Sequence, residues 1–445
     1  ELRRLLPEKY PIRYYPDITH NLRCEIPVHF DRNDWHYAFA AALGRESVNP
    51  RPTEYRRLQR IVRPYCAGSV TYSEGVNDDV NKIVWADADF NALVPVRETL
   101  LDYARSYMWD IPAEKIADGI MGLEFNWYGA PEDDPCIETT LALFEDIRKK
   151  YPSSEKNWRF ELLLLRAECD ALIRRRRIFE KGLIEDAKKS LRRGEDVKTA
   201  LKILSCSFND EYKKLRDDIS NLAEILFNSI GIQLDIEHYD ALNWERGAIL
   251  ETIDLPITDR SWLINRLNFA ETLGDDEKKS FIKGLLARNK VAPDEFYFSV
   301  AEDGLDALNV TQDGDYYIDV QGDRPYVNNG TLPTSQFKIY DHYSLKCKLA
   351  GFSGDTDYLL KLTHKKETRN DIDTFKITVN GNVIYFGKMY GGEGTDEFDR
   401  YYSAPGSETS SYLIPSSAIE NGCIALEITE PQEGFKLYEM RIVKK

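Results

Sequence analysis

The 445 residues predict a multidomain α/β + α + β chain: the C-terminal part of a (β/α) barrel over 1–130, a helical bundle over 131–290, and an antiparallel β-sandwich over 291–445. Three observations predict it. Strand-like and helix-like segments alternate in the first stretch, the rhythm of a parallel α/β layer. The second stretch has almost no strand signal and carries apolar stripes at helical spacing. The third switches to short β-rich runs divided by Gly, Asn and Asp, the pattern of a sandwich.

Along the first stretch, residues 2–6 fit a short helix stopped by Pro7, and 12–15 (IRYY) a strand closed by Pro16-Asp17. Residues 35–43 form an apolar helix. Thr53 is placed to cap a helix over 54–62, where Leu58, Ile61 and Val62 fall at helical spacing. Residues 68–72 (GSVTY) give a second strand opening onto Ser73-Glu74-Gly75. Pro95 begins a further helix with Leu100, Leu101, Tyr103, Ala104 and Tyr107 on its apolar side. Two strands are too few to close a barrel, so the domain reads as beginning in its middle.

In the second stretch, helices are expected over 158–179 and 184–204, with a break at Gly194. Leu215, Ile219, Leu222, Ala223, Leu226 and Ile230 make one face of another. Four consecutive arginines, Arg174 to Arg177, point in four directions and are expected on a solvated helix surface. Asn243, Trp244, Glu245 and Arg246 stand in a less regular stretch. In the last third, strands are expected at 316–320, 358–363, 375–379, 383–386 and 424–428. Asn380-Gly381 between two of them is the best hairpin signal in the chain, since both residues tolerate left-handed backbone. Residues 391–394 (GGEG) read as a flexible loop.

Composition narrows the function. A net charge of -16 disfavours nucleic acid, whose phosphates would meet repulsion. No apolar run approaches the ~18 residues that cross a bilayer, so no membrane span is expected, and no signal-peptide pattern heads the chain. The seven cysteines are scattered singly and the six histidines never fall at zinc-ligand spacing beside them, so neither a disulfide framework nor a metal is expected. Phosphate-binding loops, dinucleotide fingerprints, H-E-x-x-H and G-x-S-x-G are absent, and no cofactor is expected. The 26 tyrosines and seven tryptophans are many, and sugar rings stack on aromatic faces.

In a parallel barrel, the C-terminal strand ends and their loops face the active site. The first strand runs into Tyr15-Pro16-Asp17-Ile18-Thr19-His20. The second runs into Tyr72-Ser73-Glu74-Gly75-Val76-Asn77-Asp78-Asp79. Hydrolysis of a glycosidic bond needs two carboxyl groups, one to donate a proton and one to attack or stabilise the oxocarbenium-like centre. Glu74 is the strongest candidate catalytic residue, with Asp17 its counterpart. Tyr15, Tyr72 and Trp35 suit sugar platforms, and His20, Arg45, Asn49 and Asn77 suit hydrogen bonds to hydroxyls. Asp78 and Asp79 complete the substrate-binding set, although both also suit a helix cap or a cation. Arg45 equally suits a pair with Glu46, and Asp313, Asp315 and Asp319 a structural cation.

Together, YYPDITH, GRESVNPRP and TYSEGVNDDVNKIVW resemble the last barrel strands of bacterial glycoside-hydrolase-like proteins, broadly similar to the hexosaminidase and hyaluronidase group. LFNSIGIQLDIEHYDALNWERGAILETID is similar to the helical domain that follows such barrels. DTFKITVNGNVIYFG with SSYLIPSSAIENGCIALEIT looks like a carbohydrate-binding, galactose-binding-like sandwich. The resemblance implies a TIM barrel, a helical domain and a sandwich, in a glycoside hydrolase or the C-terminal portion of one that degrades complex glycans. A glycan or polysaccharide partner and export to the periplasm or beyond follow from it. In such barrels the carboxylates commonly sit on a middle strand, and some members use the substrate's acetamido group beside an Asp-Asp or Asp-Glu pair. Asp78-Asp79 stand later than that, after Glu74. The rival reading is a non-catalytic glycan-binding or scaffold protein in which the same residues hold sugar without cleaving it.

Overall fold

A computed structural model describes residues 2–16, 50–71, 78–241, 250–254, 257–299, 316–320, 335–339, 344–365, 375–388, 407–429 and 436–445. These fall into two compact units, one from the described residues up to 178 with 208–254, the other from 179–207 with those after 256.

In the first unit, Leu2–Leu5 (α1) is closed by Arg3, whose guanidinium donates to the carbonyls of Leu6, Pro7 and Tyr10. Arg13–Tyr14 (β1) and Gly68–Ser69 (β2) pair in parallel, Arg13 opposite Gly68 and Tyr14 opposite Ser69. Both expected strands are present and shorter than their sequence runs. Parallel neighbours need a crossover, and Pro52–Val62 (α2) lies within it.

The start of α2 differs from the expectation. It begins at Pro52, and no side chain at its own N-terminus caps it. The distant Glu124 carboxylate does so, accepting the N–H groups of Thr53 and Glu54 at 3.0 Å each. A proline in the first turn has no N–H to satisfy, and a carboxylate suits the positive end of the helix dipole.

Asp78–Phe90 (α3), Val96–Tyr107 (α4), Ala113–Phe125 (α5) and Cys136–Lys150 (α6) follow, each packed on its predecessor. On α4 the apolar side read from spacing is the buried side at Leu100, Leu101, Tyr103 and Ala104, while Tyr107 is exposed. Two glycines let α5 and α6 approach. A Cβ on Gly119 would lie 2.6 Å from Phe144 Cζ, and one on Gly122 2.6 Å from Thr140 Oγ1.

Trp158–Arg192 (α7) is one helix of 35 residues where two were expected. Gly182 stands inside it, and a mid-helix glycine costs only about 1 kcal/mol. The apolar stripe continues past it through Ile184, Ala187 and Leu191, all buried. The break expected at Gly194 is present, at φ 78°, and Val197–Leu204 (α8) follows, capped by Asp196. Asp210–Ile230 (α9) runs from an Asn209 cap to Gly231 at φ 70°. Its buried face is Leu215, Ile219, Leu222, Ala223 and Leu226, with Ile230 of the last turn exposed. Ile236–Tyr239 (α10) and Leu250–Ile253 (α11) are short.

The four arginines are not a solvated face. Arg177, 2% exposed, grips Glu132 through Nε and Nη2 at 2.6 Å each. Arg176 donates to the Ile253 carbonyl at 2.7 Å, and Arg174 to that of Asp134 at 2.9 Å. Arg175 holds Glu138 through Nε at 3.1 Å and Nη2 at 2.8 Å. The side chains do point in four directions, but protein lies in each.

The second unit contains the end of α7, then α8, Arg260–Ala270 (α12) and Asp275–Ala287 (α13). Leu191, Val197, Leu204, Trp262, Leu267, Phe281 and Leu285 share one core there. Its strands are Phe296–Ser299 (β3), Tyr316–Val320 (β4), Ser335–Ile339 (β5), Ser344–Ala350 (β6), Tyr358–Lys365 (β7), Phe375–Val379 (β8), Asn382–Gly387 (β9), Ser407–Ile414 (β10), Cys423–Thr429 (β11) and Lys436–Lys444 (β12). They form two antiparallel sheets, ordered β10-β7-β12-β5-β4 with β3 also on β12, and β6-β11-β8-β9. Alternate residues from both sheets, among them Leu360, Leu362, Ile377, Leu426, Ile428 and Met440, meet in one core. The expected hairpin joins β8 to β9 through Asn380 at φ 49° and Gly381 at φ 79°.

Among the described residues every cysteine is free, and no helix is long and apolar enough to cross a membrane. The helix expected at 35–43, Cys24, residues 243–246 and 391–394, and Asp313 and Asp315 lie outside the described residues; Asp319 contributes its backbone to β4.

Candidate functional site

Because β1 and β2 run in parallel, both end on the same edge of their sheet. The segments that carry Tyr15 and Asp17, and Tyr72 and Glu74, leave from those two ends.

The strand pair is locked from below by α2 and α3. Trp85 of α3 is buried, stacks on Tyr14 of β1 at 5.6 Å between centroids, and meets Tyr55 of α2 edge-on at 6.5 Å. Its indole N–H donates to Ser69 Oγ of β2 at 2.9 Å. The Ser69 hydroxyl donates to Asp89 of α3, which also accepts from Gln59 of α2 at 2.8 Å. Both helical pairs, Tyr55 with Gln59 and Trp85 with Asp89, are spaced by one turn and so act from one face of each helix. Burial, helped by the neighbouring Cys66 thiol, raises the Tyr14 phenol above its ordinary value.

The start of α3 is fixed just as firmly. Asp79 accepts the Val80 N–H at 2.9 Å on Oδ1, and the Tyr103 hydroxyl at 2.9 Å and Arg159 Nε at 2.6 Å on Oδ2. The Arg159 guanidinium lies 4.1 Å from the ring centroids of both Tyr107 and Trp158. Burial and the Asp79 charge push the Tyr103 phenol well above its ordinary range. Asp79 is thus an ion-paired carboxylate tying α3 to α4 and α7.

Of the residues singled out from sequence, Tyr15 is exposed just beyond β1, Asp78 is the first residue of α3, and Asp79 is engaged as above. Asp17, His20, Trp35, Arg45, Asn49, Tyr72, Glu74 and Asn77 lie outside the described residues. The described structure therefore gives the strand pair and the start of α3 that flank these positions in the sequence. Trp85, Asp89, Tyr103 and Arg159 were not singled out for this frame. Their signal was available in part, because a buried Trp or Tyr needs a partner for its polar atom. The partner's identity was not, since Arg159 stands 80 residues from Asp79. Among the described residues, no group of three or more His, Cys, Asp or Glu is placed to hold a metal ion.

No family model and no curated protein matches the chain. Among solved structures it is similar to the ANXUR2 extracellular domain from Arabidopsis thaliana, at 12% identity and a TM-score of 0.18, over 25% of this chain and 32% of that one. It is also similar to BtGH115A, a family GH115 4-O-methyl-alpha-glucuronidase with specificity for decorated arabinogalactans, at 10% identity and a TM-score of 0.25. That likeness covers 98% of this chain and 51% of the other, so the chain spans about half the length of that enzyme. Neither score reaches that of a shared fold, and no function passes from either protein to this one.

Proposed function

We propose that the chain is a glycoside hydrolase, or the C-terminal portion of one, that cleaves complex glycans with a pair of carboxyl groups and no cofactor. The observation that carries this reading is the parallel pairing of β1 with β2, two strands that Asp17 and Glu74 follow in the sequence. Glu74 acts as proton donor to the leaving oxygen, and Asp17 as its partner across the scissile bond. Tyr15, Tyr72 and Trp35 supply ring platforms, and His20, Arg45, Asn49, Asn77 and Asp78 the polar contacts to hydroxyls. Asp79, already matched by Arg159 and Tyr103, contributes by fixing where the Glu74 segment enters α3. An external glycan as substrate makes export part of the same reading.

The test is a hydrolysis screen on plant and microbial polysaccharides, using the protein as its source makes it, with intact mass established first. Glu74→Gln is expected to lower turnover by about 10²–10⁴-fold, with the melting temperature unchanged and glycan binding retained. Turnover equal to wild type in Glu74→Gln overturns the assignment of the acid. Binding without turnover in every form, wild type included, turns the reading to a glycan-binding protein.

A further inference from the structure

A cavity of about 510 Å³ lies within the second unit, where the later turns of α7 meet the start of α12, the end of α13 and β3. Its walls include Lys181, Lys188, Trp262, Arg288, Val291 and Tyr297. Arg288 and Trp262 are only 9% and 5% exposed, and the guanidinium lies over the indole at 4.3 Å from the ring centroid. Arg288 Nη2 donates to Glu439, which also accepts the Tyr297 hydroxyl at 2.9 Å. Arg288 Nη1 and Trp262 Nε1, in contrast, are buried donors with no acceptor. Two such donors on stacked neighbours in one wall are uncommon, because buried N–H groups in folded proteins nearly always find a partner.

The charge of the wall points the same way. Lys181, Lys188, Arg192 and Arg288 stand beside Glu185 and Asp259, with Glu439 paired to Arg288, a small positive excess in a chain whose net charge is -16. Glu185 is already faced by Lys188 at 3.7 Å and Arg192 at 3.9 Å. The rest of the wall, at Ile184, Leu285 and Val291, is apolar.

We propose that this cavity binds a small carboxylate with an apolar body. Its oxygens accept from Arg288 Nη1 and Trp262 Nε1, and its body rests on the apolar wall. Hydrogen bonds to an ionised acceptor are roughly twice as strong as neutral ones, so a carboxylate answers the two donors better than its amide. The volume falls in the range of small-molecule sites. The proposal holds whether or not the chain cleaves glycans.

The test follows the indole N–H resonances of the full chain during titration with benzoate, with hexanoate, and with the neutral amides of both. The resonance missing in Trp262→Phe is that of Trp262. It is expected to move saturably with at least one of the two acids and not with its amide. Arg288→Lys should weaken that response by about tenfold or more, roughly 1.4 kcal/mol. Val291→Trp, which fills the cavity from its rim and leaves the Arg288–Glu439 pair intact, should abolish it at unchanged melting temperature. Should Trp262→Phe fail to fold, the resonance that stops responding in Val291→Trp serves instead. No saturable shift with either acid, an equal response to the amides, or a response that survives Val291→Trp would each overturn the proposal and leave a hydrated cavity only.

Discussion

The helical first unit and the sandwich bury their interiors by different means. Between the two sheets, alternate apolar side chains meet, and polar groups pair across the ladder, as Thr363 does with Thr409 at 2.9 Å. The sandwich holds the buried Glu439 of β12 paired with Arg288, but the helical unit is threaded by charge more heavily. Arg166 and Asp170, 1% and 0% exposed, meet at 2.5 Å, and Asn126 donates to the same carboxylate at 2.9 Å. Arg166 Nε and Nη1 find no acceptor, and the guanidinium lies 4.4 Å from the Trp127 ring centroid. Glu124 and Arg177 add further buried charge in the same unit. An apolar interior tolerates small losses of volume in graded steps, whereas a buried ion pair fails abruptly when one partner is removed. The two regions should therefore respond differently to substitution.

Arg166→Met should give the largest effect. It strands the Asp170 carboxylate and is expected to lower stability by about 3–5 kcal/mol, read by urea unfolding. Ile377→Val in the sandwich should lose only about 0.5–1.5 kcal/mol. The double variant Arg166→Met, Asp170→Leu should regain most of the loss, because a thioether packs well on Trp127 and no charge is left behind. If the double variant is as unstable as the single one, the pair is not what separates the regions.

A pH series sharpens the same contrast. Burial raises the Glu168 carboxyl to about 8, with Asp218 and Glu145 adding to the effect and Arg148 opposing it. A carboxyl that holds its proton more tightly when folded stabilises the fold fully below its unfolded value, about 4.5. That contribution is lost as pH rises through the folded value. Stability of the helical unit should thus fall between about pH 4.5 and pH 8. Glu168→Gln should flatten this fall and be about 1–3 kcal/mol more stable than wild type at alkaline pH. Parallel pH profiles for variant and wild type would remove Glu168 from the account.

In the sandwich the hairpin offers a polar change of intermediate cost. Asn380 combines a left-handed backbone with side-chain bonds to the carbonyls of Ala418 and Cys423 and to the Ala425 N–H. Asn380→Ala should lose about 1–2 kcal/mol, and Asn380→Gly less, because glycine keeps the backbone freedom while losing the bonds. Equal losses in the two variants would mean that the turn conformation contributes nothing.

These differences also explain what could be read from sequence. The sandwich is written locally: strand alternation and Asn380-Gly381 depend on residues a few positions apart. The stripe of α9 and the break at Gly194 are local in the same sense. The Arg174–Arg177 run, the Glu124 cap on α2 and the Arg159–Asp79 pair join residues 36 to 80 positions apart, where no periodic pattern reports the partner. An arginine on a helix looks alike in sequence whether it faces water or Glu132. At the candidate site, the parallel rhythm of β1 and β2 was legible. The Trp85–Ser69–Asp89 lock beneath them was not, because it depends on which faces of α2 and α3 meet.

The smallest expected effect asks whether burial or charge itself makes the helical unit sensitive. Arg105 and Asp102 of α4 form a pair at 2.9 Å, as well made as many in the interior, but their side chains are 55% and 74% exposed. Water and salt screen such a pair, and holding two long side chains together costs the entropy that the contact returns. Arg105→Ala should therefore shift stability by no more than about 0.5 kcal/mol, and raised salt should not separate the variant from wild type. A loss approaching that of Arg166→Met would mean that ion pairing stabilises these helices irrespective of solvent, and the contrast with the sandwich would then be one of composition rather than of burial.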